Sequence, residues 1–203
     1  MLITFVRHGE SINNSHKRHH DTDSDLSELG RIQAQQMKLL FATNTHDAIF
    51  TSPLLRAYQT ATIIHGDAAA IISDSRLQEI RKPSILNKLA ETDSEFQAIK
   101  QALLMHGHKP DWKHSDEESF YDFHRRIKDF LHSITHTNAL VITHSGVMRM
   151  VIAIVNHSSS DEQTVIRAYL DSRHTIAIEN GTVITLKKTD STIELAQLRT
   201  NSF

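Results

Sequence analysis

Short apolar runs alternate with segments of helical period along this chain, and that alternation restricts its architecture more than any other feature. Leu2 to Val6 is an apolar run of strand length, and Asp47 to Thr51 and Ala139 to Thr143 repeat the pattern. Between them Leu26, Gly30, Ala34, Met37 and Phe41 recur at spacings of three and four, as do Leu54, Ala57, Ala61 and Ile64. Ala69 to Ile72 reads as a third short strand. Phe120, Phe123, Ile127, Phe130 and Ile134 mark a long amphipathic helix, and Val147 to Val155 is apolar nearly all round, as a buried helix would be. Asn180-Gly181 between Thr175–Ile178 and Val183–Leu186 predicts a hairpin. Strands alternating with helices predict an α/β fold, a three-layer α/β/α sandwich around a mostly parallel sheet. The 203 residues fit one domain. The stretch of about 80–115, irregular apart from a helix through Phe96, Ile99 and Leu103, reads as a small inserted helical lobe.

Composition narrows the functions open to such a fold. A net charge of -2 offers no general basic face, so neither nucleic acid nor an anionic membrane is an expected partner. With no cysteine, thiolate catalysis, disulfides and Cys-based zinc sites are excluded. The N-terminal apolar run is too short for a signal-peptide core, and the expected location is cytoplasmic. Any anion site must be a local concentration of positive charge.

In open α/β sheets ligands bind beyond the carboxyl ends of strands. Three polar sites fall there: Arg7-His8, Ser52 to Arg56, and His144. Taken alone, Arg7-His8 is no more than a solvated strand terminus. Together the segments are similar to the histidine phosphatase superfamily, also called the phosphoglycerate mutase-like family. Arg7-His8-Gly9 with Glu10-Ser11 resembles its first signature, and Leu26 to Gln35 its first helix. Thr51 to Ala61 resembles its second signature, Leu77-Gln78-Glu79 the place of its acid carboxylate, Glu117 to Ser119 the start of its long helix, and Val141 to Arg149 its second histidine signature. The resemblance spans nearly the whole chain.

It implies a phosphatase that passes a phosphoryl group through His8. A neutral imidazole avoids the repulsion between a phosphate dianion and an anionic nucleophile. Arg7 and Arg56 carry permanent charge in planar forks suited to phosphate oxygens. His144 would donate to a phosphoryl oxygen, cationic once substrate is bound, and these groups would take the place of a metal ion, so no metal or cofactor is expected. Glu79 would be the general acid for a poorly leaving alkoxide, which requires it to be protonated. Asn14, or the adjacent Asn13, and the Ser145 backbone would contact phosphate; ordinary loop chemistry is the competing reading for both.

The chain departs from the family after Glu79. It has Ile80-Arg81-Lys82-Pro83-Ser84, where many relatives carry Gly-x-x-Glu-Gly and the mutases carry Arg-His-Tyr-Gly. A phosphatase acting on a small phosphorylated substrate is therefore favoured over a mutase, over a protein phosphohistidine or phosphotyrosine phosphatase, and over a silent phospho-ligand binding module. The last would be expected to have lost one of Arg7, His8, Arg56 or His144. Of the remaining histidines, His16, His19 and His20 beside Lys17 and Arg18 read as a solvated loop, and His106 and His108 as a turn around Gly107. Trp112 and Phe96 read as core, as does the phenylalanine stripe. Substrate identity and oligomeric state have no signature in the sequence.

Overall fold

The computed structural model describes residues 1–15 and 24–200. Six strands form one sheet: β1 (Leu2–Arg7), β2 (Ala48–Thr51), β3 (Ile71–Ser73), β4 (Asn138–Thr143), β5 (Val183–Lys188) and β6 (Ile193–Arg199), in the order β3-β2-β4-β1-β5-β6. β3, β2, β4 and β1 run parallel; β5 and β6 are antiparallel additions at one side. The helices are a single turn α1 (Ile12–Ser15), then α2 (Glu28–Phe41), α3 (Leu55–His65), α4 (Ser94–His106), α5 (Phe120–Ser133), α6 (Ser145–Asn156) and α7 (Glu162–Thr175).

Side-chain alternation along the strands explains the layers. Ile3 and Phe5 of β1, Phe50 of β2 and Ala139 and Val141 of β4 join one core with Phe123, Ile127 and Phe130 of α5, Met148 and Val151 of α6 and Ile166 of α7. Val6, Ile49, Leu140 and Ile142, one residue out of phase, join the other with Ala34 and Met37 of α2 and Ala57 and Ala61 of α3. The expected three-layer sandwich is therefore the fold observed. Between Glu79 and Ser119 the chain makes a 3-10 helix (Ser84–Lys88) and α4, and Leu86, Phe96, Ile99 and Leu103 pack into the first core. The two ends of this segment are tied together. The Glu118 N–H donates to the Arg81 carbonyl at 3.0 Å and the Ser84 N–H to Asp116 Oδ1 at 2.9 Å. Among the described residues no helix is long and apolar enough to cross a membrane.

Two expectations need correction. The third strand starts later than expected, because Ala68–Ala70 form a 3-10 turn capped by Asp67, and only Ile71–Ser73 pair with β2. The hairpin around Asn180-Gly181 does not form. Thr175 is the last residue of α7, whose N-cap Asp161 accepts from the Thr164 N–H at 2.7 Å. Gly181 does turn the chain, at φ 78°. The turn delivers β5 to the free edge of β1, with Gly181 N–H on the Arg7 carbonyl and Arg7 N–H on the Thr182 carbonyl. The actual hairpin is β5–β6, closed at Thr189–Thr192. Asn-Gly specifies a reversal; which strand receives the reversed chain depends on the nearest unpaired edge.

Candidate active site

β1, β2 and β4 end side by side, and their last residues hold the three polar segments together. The His8 N–H bonds the Thr143 carbonyl and the Ser52 N–H the Ile142 carbonyl, both at 3.0 Å, so the strand register fixes the relative positions of His8, Ser52 and His144. The His8 and His144 rings are 5.0 Å apart, edge to face at 63°. Arg56, in the first turn of α3, reaches in from the far side, and its Nε donates to His8 Nε2 at 3.2 Å. His8 Nδ1 lies 2.6 Å from the Gly9 carbonyl. A carbonyl only accepts, so Nδ1 carries the proton and Nε2 presents its lone pair.

His8 and His144 are both buried. Burial above all, and then His144, Arg56 and Arg7, hold His8 well below the usual histidine range, against the opposing Gly9 bond. Burial followed by Arg56, Arg7 and Arg126 does the same for His144. Both rings are neutral at pH 7. Arg7 donates through Nη1 to the Ile178 carbonyl at 2.6 Å. Burial brings its pKa down to about 10, which leaves it charged. His144 Nε2 sits 2.8 Å from Ser52 Oγ, while His144 Nδ1 and Arg7 Nε are buried without a protein partner. Both atoms have hydrogen-bonding capacity that no described protein group meets.

Glu79 joins the same cluster. Its Oε2 accepts from the Gly146 N–H, in the first turn of α6, at 3.0 Å and its Oε1 from the Ile80 N–H at 3.0 Å. Ser145 Oγ is 3.5 Å from Oε2. The carboxylate occupies the place a Cβ at Gly146 would take, so this close approach requires glycine. Arg7, His8, Arg56, Glu79, His144 and Ser145 are thus brought together. Asn14 is engaged in its own turn, with Oδ1 on the Ser11 N–H at 3.2 Å and its N–H on Ser11 Oγ at 3.3 Å. His16, Lys17, Arg18, His19 and His20 lie outside the described residues. His106 packs on the Trp112 ring, and the His108 carbonyl takes the Tyr121 hydroxyl at 3.1 Å.

Sequence reasoning missed three polar side chains at the site, Gln33, Thr60 and Asn180, and gave Ser52, which lies in the expected Ser52 to Arg56 site, no role of its own. Gln33 and Thr60 lie mid-helix, where the period marks only a buried face.

Comparison with known proteins places this geometry. Residues 3–191 match the family described as "Histidine phosphatase superfamily (branch 1)". Phosphoserine phosphatase 1 of Hydrogenobacter thermophilus is 30% identical over 154 residues, 72% of this chain and 72% of that one. The 2-carboxy-D-arabinitol-1-phosphatase of Triticum aestivum is 29% identical over 156 residues, 74% of this chain but only 30% of that protein, so the chain spans less than a third of it. Among solved structures, YhfR of Bacillus stearothermophilus superposes with a TM-score of 0.77 at 24% identity, covering 96% of this chain and 95% of that one, a likeness of fold. The match over residues 3–191, nearly the whole chain, establishes that this protein belongs to the histidine phosphatase superfamily, branch 1.

Proposed function

We propose that this protein is a metal-independent phosphatase that hydrolyses small phosphate monoesters through a phosphohistidine on His8. The observation that carries the reading is the fixed tautomer of His8. Nδ1 is tied to the Gly9 carbonyl and Nε2 faces the Arg56 guanidinium. That Arg56 N–H lies where phosphorus would approach, and it passes to a phosphoryl oxygen when substrate arrives. Arg7, Arg56 and His144 surround the transferred group with positive charge, and phosphoryl transfer is mainly positioning and charge stabilisation. A bound dianion offsets the neighbouring cations and favours the protonated form of His144.

In the first step the bond from His8 Nε2 to phosphorus forms and the bond from phosphorus to the ester oxygen breaks. The leaving oxygen takes a proton from the carboxyl of Glu79. In the second step water attacks the phosphohistidine, Glu79 takes the water proton, and phosphate leaves with the nitrogen–phosphorus bond broken. The α6 N-terminus, on which Glu79 and Ser145 sit, adds backbone N–H groups and a favourable dipole for the anion. Asn14 and the Ser145 N–H are proposed as further phosphate contacts; for Asn14 this requires its turn with Ser11 to open.

The segment at about 80–115 is proposed as a cap on a single catalytic domain. A cavity beneath it is lined by Ile80, Leu86, Phe96 and Phe120 with Lys100 and Arg173. Ile80 adjoins Glu79, so a leaving group protonated by Glu79 would extend this way, and the cap would select it. The relatives named above act on phosphorylated small molecules by name, which supports the same substrate scale.

The test is turnover of p-nitrophenyl phosphate and a panel of alkyl, sugar and nucleotide phosphates in EDTA, beside His8→Ala. Activity in EDTA that disappears in His8→Ala is expected. Equal activity of His8→Ala would overturn the nucleophile. A phosphohistidine stable in water and dependent on a bisphosphate primer would indicate a mutase instead.

A further inference from the structure

Three polar side chains, none of which touches the place where phosphate would sit, grip both peptide groups that follow His8. The first is the His8–Gly9 peptide. Its N–H donates to Thr60 Oγ1 at 3.1 Å, and its carbonyl accepts from Asn180 Nδ2 at 2.8 Å. In a trans peptide these two groups point in opposite directions, so α3 and the turn before β5 hold one plane from opposite sides. Thr60 is itself fixed, because its hydroxyl donates to the Arg56 carbonyl at 2.7 Å. The second is the Gly9–Glu10 peptide. Its N–H donates to Gln33 Oε1 of α2 at 2.8 Å, and its carbonyl is the one that receives His8 Nδ1. Gln33 and Thr60 are buried, and backbone groups this enclosed are costly to leave unpaired.

A glycine lies at the centre of this cradle. A Cβ on Gly9 would run into the Gly30 backbone and one on Gly30 into the Glu10 backbone, so neither position could carry a side chain without a backbone shift. Gly9 has two freely rotating dihedrals, and left to itself it would not hold its carbonyl opposite the His8 ring. A carbonyl turned away would free Nδ1, and the imidazole could then carry its proton on Nε2, the nitrogen that must attack.

We infer that Gln33, Thr60 and Asn180 are positioning residues that fix the tautomer and aim of His8 by immobilising the two peptide groups after it. The inference rests on the phosphohistidine reading for its kinetic consequence, but not for its structural one. The Thr60 bond to Arg56 also links the two sides of the phosphate site: the helix that carries the arginine clamps the turn that carries the histidine.

The experiment combines steady-state kinetics with nitrogen NMR of the His8 ring in Thr60→Val, Asn180→Ala and Gln33→Leu. Thr60→Ser serves as the conservative rescue. Thr62→Val is the control, since the Thr62 hydroxyl also bonds a backbone carbonyl in α3, that of Tyr58 at 2.9 Å, and has no bond to the His8 turn. Wild-type His8 should show the Nδ1–H tautomer. Thr60→Val and Asn180→Ala should show a mixture, with kcat lower by about 10–100-fold, the scale expected for a misplaced reacting atom, and KM nearly unchanged. Thr60→Ser should restore both, and Thr62→Val should match wild type. Asn180 is only half-buried in a turn, so its variant is expected to fold even if Thr60→Val or Gln33→Leu does not. A pure Nδ1–H tautomer in folded Asn180→Ala and Thr60→Val, with kcat at the wild-type level, overturns the inference. Activity indifferent to His8→Ala, with the tautomer still shifting in these variants, would sink the phosphohistidine reading and leave the cradle standing.

Discussion

Replacing Gly146 by alanine isolates the work of Glu79 without touching Glu79. The new Cβ would clash with Glu79 Oε1, with Cδ at 3.0 Å and Oε2 at 3.3 Å. The atoms in the way are the end of a flexible side chain, so the carboxylate swings aside and the backbone stays. The carboxylate would lose its bond from the Gly146 N–H, a charge-assisted contact of about 1.5–3 kcal/mol. Alanine in place of glycine inside a helix returns roughly 1 kcal/mol. The net cost is about 0.5–2 kcal/mol, small beside the roughly 5–15 kcal/mol of a typical domain, and the variant should fold. Catalysis should suffer much more. A general acid contributes about 10²–10⁴-fold, or roughly 3–5 kcal/mol of barrier, when the leaving group is a poor one. Turnover of glycerol phosphate should therefore collapse. Nitrophenolate leaves with little protonation, so p-nitrophenyl phosphate should keep most of its rate. Combining Gly146→Ala with Glu79→Gln should add almost nothing to either single loss, because both remove the same group. The assay is kcat on both substrates for the three variants, with thermal unfolding alongside. Glycerol phosphate turnover within about threefold of wild type in folded Gly146→Ala would refute the role given to this carboxylate.

Gly30→Ala should behave oppositely, because its Cβ would meet the Glu10 backbone rather than a side-chain end. A cost on the order of 2 kcal/mol or more in chemical unfolding is expected, together with loss of activity on every substrate. Stability should also depend on pH in a definite direction. His8 and His144 are held below the usual histidine range when folded, so the unfolded chain takes up their protons first as pH falls through about 6.5. Their contribution is complete above that pH and declines below it, by up to about 1.4 kcal/mol per pH unit for each, and a urea midpoint flat from pH 7.5 to 5.5 would contradict this. Ser52→Ala removes the hydroxyl facing His144 Nε2, and should raise KM for phosphate esters more than it lowers the stability of the fold, as read by KM beside the unfolding midpoint.

The sequence by itself determined the layers and the charged centre. Ile3, Phe5 and Val6 divide between two cores because strand side chains alternate, and Phe123, Ile127 and Phe130 share one because a helix repeats near 3.6. Arg7-His8, Arg56 and His144 were legible for a related reason: each sits within a residue or a turn of a strand end, so local pattern placed them at the carboxyl end of the sheet. Only the tertiary structure decided what holds them. Gln33, Thr60 and Asn180 meet the His8 turn across separations of 23, 51 and 172 residues, and Ser52 meets His144 across 92. The same limit explains the misplaced hairpin, where Asn180-Gly181 specified a turn but the open edge of β1 chose its partner. Local chemistry sets periods and reversals, whereas a hydrogen-bond partner far along the chain exists only once packing has brought it within reach.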